Sequence, residues 1–297
     1  MSAARAIPLP SAAVSRALLS LTKPDVTFLV VLTTGAGVYL ASPGTVNPAL
    51  LVHAIVGTTL ISAGTSALNH YFERDSDALM RRTSTRPIPA GLLAPESALW
   101  FGVTLALAGA VHLTLFTNWL SALLGLATSL TYLGIYTPLK TRTSLATLIG
   151  AFPGAVPPLI GWAAARGSLS LEALALYAIL FAWQFPHFLA IAWMYREDYA
   201  RAGILMLPVV DKSGDSTFRQ IIAWSAALVP VSLLPATLGM AGPRYLFFAL
   251  VLSLALLLVS WWSARERSNY SAKWLMHATV VYIPVLLGVM MFDKVTR

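Results

Sequence analysis

Long uninterrupted apolar runs, rather than alternation, set the pattern of this chain. Nine of them, at roughly 24–42, 48–70, 97–116, 119–137, 144–164, 171–193, 220–240, 245–263 and 273–292, approach the ~20 residues a membrane helix needs. Continuous runs point to helices, because barrel strands alternate between a lipid face and a lumen face. The polar stretches between them are unequal. Most are short, whereas 71–96 and 194–219 are long and hold most of the acidic residues. Helices 2–3 and 6–7 bracket these two loops in a similar way, which hints at an internal duplication. The pattern predicts an all-α fold, a polytopic membrane bundle of nine transmembrane helices around a central cavity. A short N-terminal cytoplasmic segment (1–22) precedes a transmembrane domain (23–297).

Composition agrees with the pattern. Of 297 residues, 57% are hydrophobic and 11% charged, with a mean hydropathy of +0.73. A soluble domain carries about 25% charged residues. The absence of cysteine excludes disulfides, thiolate metal sites, Cys nucleophiles and covalent c-type haem attachment. The net charge of +8 reads as an orientation signal. With the N-terminus cytoplasmic, 16 of the 20 Lys and Arg residues fall on that side, leaving Arg166, Arg244, Lys294 and Arg297 on the other. The odd number of spans puts the two ends on opposite sides. The first 22 residues are rich in Ala and Ser and contain no acid. The apolar run behind them is expected to stay as an anchor, since no clear small-residue cleavage site precedes it.

Three constellations interrupt the apolar background. In the first, Asn69, Glu73 and Asp77 are spaced four apart, which brings them near one helix face. Four arginines, Arg74, Arg81, Arg82 and Arg86, lie in or after this stripe. Oxygen ligands beside cations suit Mg²⁺ and a polyphosphate together; a solvated helix end with salt bridges is the plainer alternative. The second runs from Gln184 and His187 to Tyr195, Asp198 and Tyr199. There the alternatives are a binding site and interhelical hydrogen bonding. The third contains Lys140 and Arg142, suited to phosphate or to simple anchoring, followed by Gly154 and Pro157, which are expected to shape a cavity. His53, His112 and His277 read as structural.

The stripe with its Arg82-Thr83-x-x-Arg86-Pro87 tail resembles the UbiA-type intramembrane prenyltransferases. Tyr136-Thr-Pro-Leu-Lys140, Gly154-Ala-Val-Pro157-Pro158-Leu-Ile-Gly161-Trp162, Trp183-Gln-Phe-Pro-His187-Phe and Asp198-Tyr199-x-x-Ala-Gly203-x-x-Met206-Leu-Pro208 narrow the resemblance to the haem-farnesylating branch, the haem O synthases. It extends from about Lys23 to the ninth helix. The chain departs from the broader pattern in having His70 after Asn69, Glu73 as the middle acid, and Asp198 in place of a series of aspartates.

The resemblance implies farnesyl transfer from farnesyl diphosphate to a vinyl group of haem b, which is a substrate here and not a prosthetic group. It implies Mg²⁺ held by Asn69, Glu73, Asp77 and Asp198, with Lys140 also catalytic. Arg82, Arg86 and Arg142 would bind diphosphate. His70 and His187 would serve haem or proton transfer, and Tyr195 and Tyr199 would help form the binding site. Tyr71, Phe72, Trp183 and Tyr195 could shelter an allylic cation or simply pack. The same fold acting on a quinone precursor is the nearest rival. The implied setting is the cytoplasmic inner membrane, or the mitochondrial inner membrane in a eukaryote. The lipid bilayer, haem A synthase and oxidase assembly factors are the implied partners, and nucleic acid is not.

Overall fold

In the computed structural model, which describes residues 11–295, short polar signals mark where most of the apolar helices start. Proline occupies the first turn of α2 (Pro24–Ala41), α3 (Pro48–Phe72), α5 (Pro95–Phe116), α9 (Pro157–Arg166) and α14 (Pro243–Glu266). Its missing N–H is one of the four that a helix start leaves unpaired anyway. Asn47 Oδ1 accepts from Ala49 N at 2.9 Å to cap α3, and Asn118 Oδ1 accepts from Ser121 N at 2.9 Å to cap α6 (Trp119–Thr131). Ser268 and Ser271 form a capping box on α15 (Asn269–Phe292). Among the described residues nine helices are long and apolar enough to cross a membrane.

The spans follow the apolar pattern closely, with three instructive differences. The seventh, α13 (Asp215–Thr237), begins five residues before the apolar run, because Asp211 Oδ2 accepts from Thr217 N at 2.8 Å and caps a polar first turn. The fifth is two helices, α8 (Ala146–Gly154) and α9, broken at Ala155–Val156 ahead of Pro157. The fourth also changes character. After α6 the chain forms a π-helical turn at Tyr132–Tyr136 and then the short α7 (Thr137–Leu139).

Large apolar side chains face outward, as Leu130 (71% exposed) and Phe292 (78%) do, while small and hydroxylated residues fill the contacts. This is how helices associate in lipid, where leucine gains little by burial. A Cβ on Gly64 of α3 would lie 2.5 Å from Ala106 N of α5, and one on Gly109 of α5 would lie 2.6 Å from Gly57 O of α3. The two backbones therefore touch. Elsewhere hydroxyls join the helices: Ser225 with Ser260 at 2.8 Å, and Tyr282 Oη with Ser232 at 2.6 Å and Ser253 at 2.9 Å. His53 and His112 meet at 3.2 Å between α3 and α5, a structural pairing.

Neighbours run α2, α3, α5, α6 and α9, then α10 (Leu171–Met194), α13, α14 and α15, with α15 returning to α2. Lys294 Nζ secures that closure by donating to Tyr39 O at 2.7 Å and Ser42 O at 2.6 Å. The two long loops gather at one end of the bundle. There α3 breaks at Glu73 into α4 (Arg74–Leu79), and α10 breaks at Tyr195 into α11 (Arg196–Arg201), followed by α12 (Leu207–Val210). The N-terminal segment contributes α1 (Ser11–Leu21), whose Ala17 and Leu21 pack with Ala67, Ile88 and Ala98. Arg5 and Arg297, used in the charge count, lie outside the described residues.

Candidate active site

The break at Glu73 lets one stripe address two layers. Asn69 and His70 lie in the last turn of α3 inside the bundle, and Asp77 sits about two turns further on in α4, fully enclosed. Each residue of the stripe offers one oxygen to a cation. Lys23 Nζ donates to Asn69 Oδ1 at 2.7 Å, Lys140 Nζ to Glu73 Oε1 at 2.5 Å, and Arg86 Nη1 to Asp77 Oδ2 at 2.6 Å. Thr83 Oγ1 donates to Asp77 O at 2.9 Å and ties the loop carrying Arg86 to the stripe. Lys140 also lies over the Tyr136 ring, 4.3 Å from its centroid, and 5.7 Å from that of Tyr132.

Burial and charge pull these groups in different directions. For Lys23, burial, then Arg86 and Lys140, outweigh Glu73 and Asp77 and lower its pKa to about 7. Burial alone would push Glu73 up, but Lys140 and Lys23 hold it below the usual carboxylate range. At Asp77 burial wins over Arg86 and raises the carboxyl. Burial also opposes the charge on Lys140, yet Tyr136 and Glu73 keep the ammonium well above its ordinary value. Three basic side chains thus surround two carboxylates, a lining suited to an anion.

The second loop stands beside the first. Asp198 pairs with Arg201, and its Oδ2 accepts from the backbone N of Arg82 at 3.2 Å. The Arg82 guanidinium lies 4.9 Å from the centroid of the Tyr195 ring. Tyr199 packs against the small cluster of Met80, Ala192, Ile204 and Met206. Leu205 N donates to Lys140 O at 2.7 Å, so the two loops and the α7 end form one connected surface.

Other residues singled out in the sequence lie apart. Arg142 is exposed. His187 Nδ1 meets Thr279 Oγ1 at 2.8 Å and its ring stacks on Trp183, between α10 and α15. Gln184 Nε2 donates to Ala151 O and Leu180 O, both at 3.1 Å, and Gly154 leaves room for that amide, since a Cβ there would collide with Gln184 Oε1. The interhelical reading of Gln184 is what the structure displays. Sequence reasoning missed Lys23 as a site residue. Its only signal was position, one residue before Pro24 at the mouth of the first span, where a left-handed backbone (φ 45°) turns it toward Asn69.

Several buried polar atoms have no protein partner: Asp77 Oδ1, Asn69 Nδ2 and both ring nitrogens of His70. Such atoms are costly to leave unpaired. Asp77 Oδ1 is the kind of oxygen a hard cation engages. Among the described residues, no group of three or more His, Asp or Glu side chains could hold an ion unaided. The site therefore fits Mg²⁺ only with further oxygens from a bound phosphate, the usual arrangement for that ion. Next to Glu73 and Lys140 opens a cavity of about 670 Å³ between α3, α5 and α6, with mostly apolar walls.

The comparisons with known proteins identify the family. A family model described as the UbiA prenyltransferase family matches residues 30–283. A protoheme IX farnesyltransferase of Solibacter usitatus (strain Ellin6076) is 49% identical over 288 residues, covering 94% of this chain and 99% of that protein. A solved digeranylgeranylglyceryl phosphate synthase shares the fold with a TM-score of 0.77 at 16% identity, covering 94% of this chain and 97% of its own. A UbiA homologue from Archaeoglobus fulgidus, bound to DMAPP and Mg²⁺, gives a TM-score of 0.66 at 15% identity, covering 92% and 98%. Nine membrane-length helices among the described residues, a buried ionic stripe at one end and a near full-length relative agree: the chain is a multi-pass membrane transferase and belongs to the UbiA prenyltransferase family.

Proposed function

We propose that the protein transfers the farnesyl group of farnesyl diphosphate to a vinyl group of haem b, giving haem O and diphosphate. The observation that carries the transfer is the enclosed stripe, in which Lys23, Arg86 and Lys140 surround two carboxylates beside an apolar cavity. The acceptor is supported by the name borne by the Solibacter relative, and Mg²⁺ by the ion in the Archaeoglobus homologue.

In this reading Asn69, Glu73, Asp77 and Asp198 hold Mg²⁺, which when bound supplies Lewis acidity at the diphosphate. Arg82, Arg86 and Lys140 add charge-assisted hydrogen bonds to the leaving group, Lys23 joins them, and the exposed Arg142, two residues beyond Lys140, adds positive charge without direct contact. The bond from farnesyl C1 to the diphosphate oxygen breaks with its electron pair on oxygen. The allylic carbon then takes the electrons of the vinyl double bond. Water adds to the remaining cationic carbon and loses one proton, giving the hydroxyethylfarnesyl group. Tyr132 and Tyr136 offer π faces near Lys140. His70, with both ring nitrogens enclosed and without a protein partner, serves proton transfer or haem. Tyr195 and Tyr199 border the second loop.

The orientation proposed from the charge asymmetry puts the N-terminus and both long loops in the cytoplasm, at the inner membrane. Incubating membranes that contain the protein with haem b, farnesyl diphosphate and Mg²⁺, then weighing the extracted haem, tests the function. The expected product carries one farnesyl and one hydroxyl more than haem b. No such product, with prenylation of a quinone precursor instead, would overturn the acceptor.

A further inference from the structure

Gly134 lies in the π-helical turn at Tyr132–Tyr136, and its glycine identity has no packing explanation. Other helical glycines are required by close neighbours. A Cβ on Gly102 would stand 2.8 Å from Leu68 Cγ, and one on Gly150 would stand 2.6 Å from the Tyr136 ring. A Cβ on Gly134 would meet nothing within 4 Å. Glycine in a helix interior is less favourable than alanine. What the residue provides is empty space, and that space belongs to the cavity beside the ionic stripe.

The cavity has a polar head and an apolar body. Glu73 and Lys140 stand at the head, Phe72 and Val103 line the α3 and α5 side, and Leu130 and Gly134 line the α6 side. Leu130, Leu133, Gly134, Thr137 and Pro138 all line it, at the i, i+3, i+4, i+7, i+8 spacing of one helix face. Tyr132 and Tyr136 are not on that face; they lie against Lys140 instead. Its volume of about 670 Å³ lies within the ~300–1,000 Å³ of small-molecule sites. An occupant must join an anionic end, opposite Lys140, to an apolar body.

Resting on the prenyl-transfer reading above, we propose that this cleft between α3, α5 and α6 holds the isoprenoid chain of the substrate, and that the missing side chain at Gly134 sets the chain length it accepts. Filling the space at residue 134 shortens the cleft for the chain and leaves the diphosphate end untouched. Val103, on another wall of the same cavity, is a second position from which to fill it.

The test compares geranyl, farnesyl and geranylgeranyl diphosphate in two assays on the purified full chain. One assay is transfer to haem b. The other is displacement of a fluorescent farnesyl diphosphate analogue, which needs no acceptor. In Gly134→Phe and in Val103→Phe, preference for farnesyl over geranyl should fall about tenfold or more, as expected when a hydrophobic pocket loses room for several carbons. Gly134→Ala should keep the native preference. So should Gly288→Phe on α15, outside the cleft, where an added Cβ also meets nothing within 4 Å. Retained binding of the geranyl compound shows that the variants fold. An unchanged preference, or equal loss at every chain length in both Phe variants, overturns the cleft assignment. Failure of native protein to prenylate haem, with the length shift still present in displacement, overturns the acceptor and leaves the cleft standing.

Discussion

Lys140 and Glu73 meet at 2.5 Å with both side chains nearly enclosed, so neither can lose its partner cheaply. Removing one member of such a pair typically costs about 3–5 kcal/mol, because the other charge stays buried and unmatched. Lys140→Met should therefore lower the unfolding midpoint in detergent markedly. Adding Glu73→Leu should recover most of that loss without recovering turnover. Recovery of turnover in the double variant would remove both residues from the chemistry. Asp77→Ala should abolish turnover while membrane insertion persists, as judged by fractionation and product mass. On the proposed reading Lys23→Met removes one charge-assisted hydrogen bond to the diphosphate and should cost about 1.5–3 kcal/mol, or roughly 10- to 150-fold in kcat/KM. The stripe itself was legible because acids are rare in apolar sequence and four-residue spacing fixes their face. Lys23 was not legible, since a lysine before a membrane helix also serves as ordinary anchoring. Its contact with Asn69 depends on a backbone turn that no side-chain pattern announces.

At the scale of elements, spans read from the apolar runs match the helices wherever apolarity alone decides. They miss where polar chemistry extends or reshapes a helix. The polar first turn of α13 exists because Asp211 accepts from Thr217 N and from Thr217 Oγ1, at 2.8 and 3.0 Å. Burial is the largest single influence on the Asp211 carboxylate and opposes its charge, but the bonds from Thr217, Ser213 and Ser216 together hold its pKa below the usual value. A depressed carboxylate contributes stability that is complete above its unfolded pKa and is lost as pH falls through the lowered one. Asp211→Ala should cost about 1 kcal/mol, the usual loss of a capping oxygen. Calorimetry should find the difference from native protein shrinking in strongly acidic buffer. The π-turn was equally hidden, because one extra residue per turn leaves no mark in hydropathy. The suspected duplication has a local counterpart. Arg74 Nη1 donates to Tyr71 O at 2.7 Å and covers the Tyr71 ring; Arg196 Nη1 donates to Trp193 O at 2.7 Å and covers the Trp193 ring. Both arginines open a six-residue helix just past a break in a long span, and the same sequence interval separates each pair of counterparts.

For the whole molecule, the absence of cysteine offers a clean test of orientation. Single cysteines at Ser84 and Ser213, in the two long loops, should react with an impermeant maleimide only from the cytoplasmic side. One at Ser168, between α9 and α10, should react only from the other side. The reverse pattern would invert the proposed topology. At this scale the charge asymmetry was readable because loops report orientation one by one. Which helices touch was not, since contacts such as Gly64 against Ala106 N depend on where two backbones cross.

Both carboxylates of the stripe are already engaged, Glu73 by Lys140 and Asp77 by Arg86. A divalent cation or a diphosphate arriving alone finds its natural counter-charge engaged. Arriving together, each frees the partner the other requires. Thermodynamic reciprocity then makes either one raise the affinity for the other by a single common factor, of the order of 5- to 150-fold for coupled sites. Mn²⁺ titrated by electron paramagnetic resonance should bind more tightly by such a factor when inorganic diphosphate is present, and equal affinities would dissolve the coupling. In the language of logic, the proposed centre is a graded AND gate: it answers the pair of inputs more strongly than either one alone.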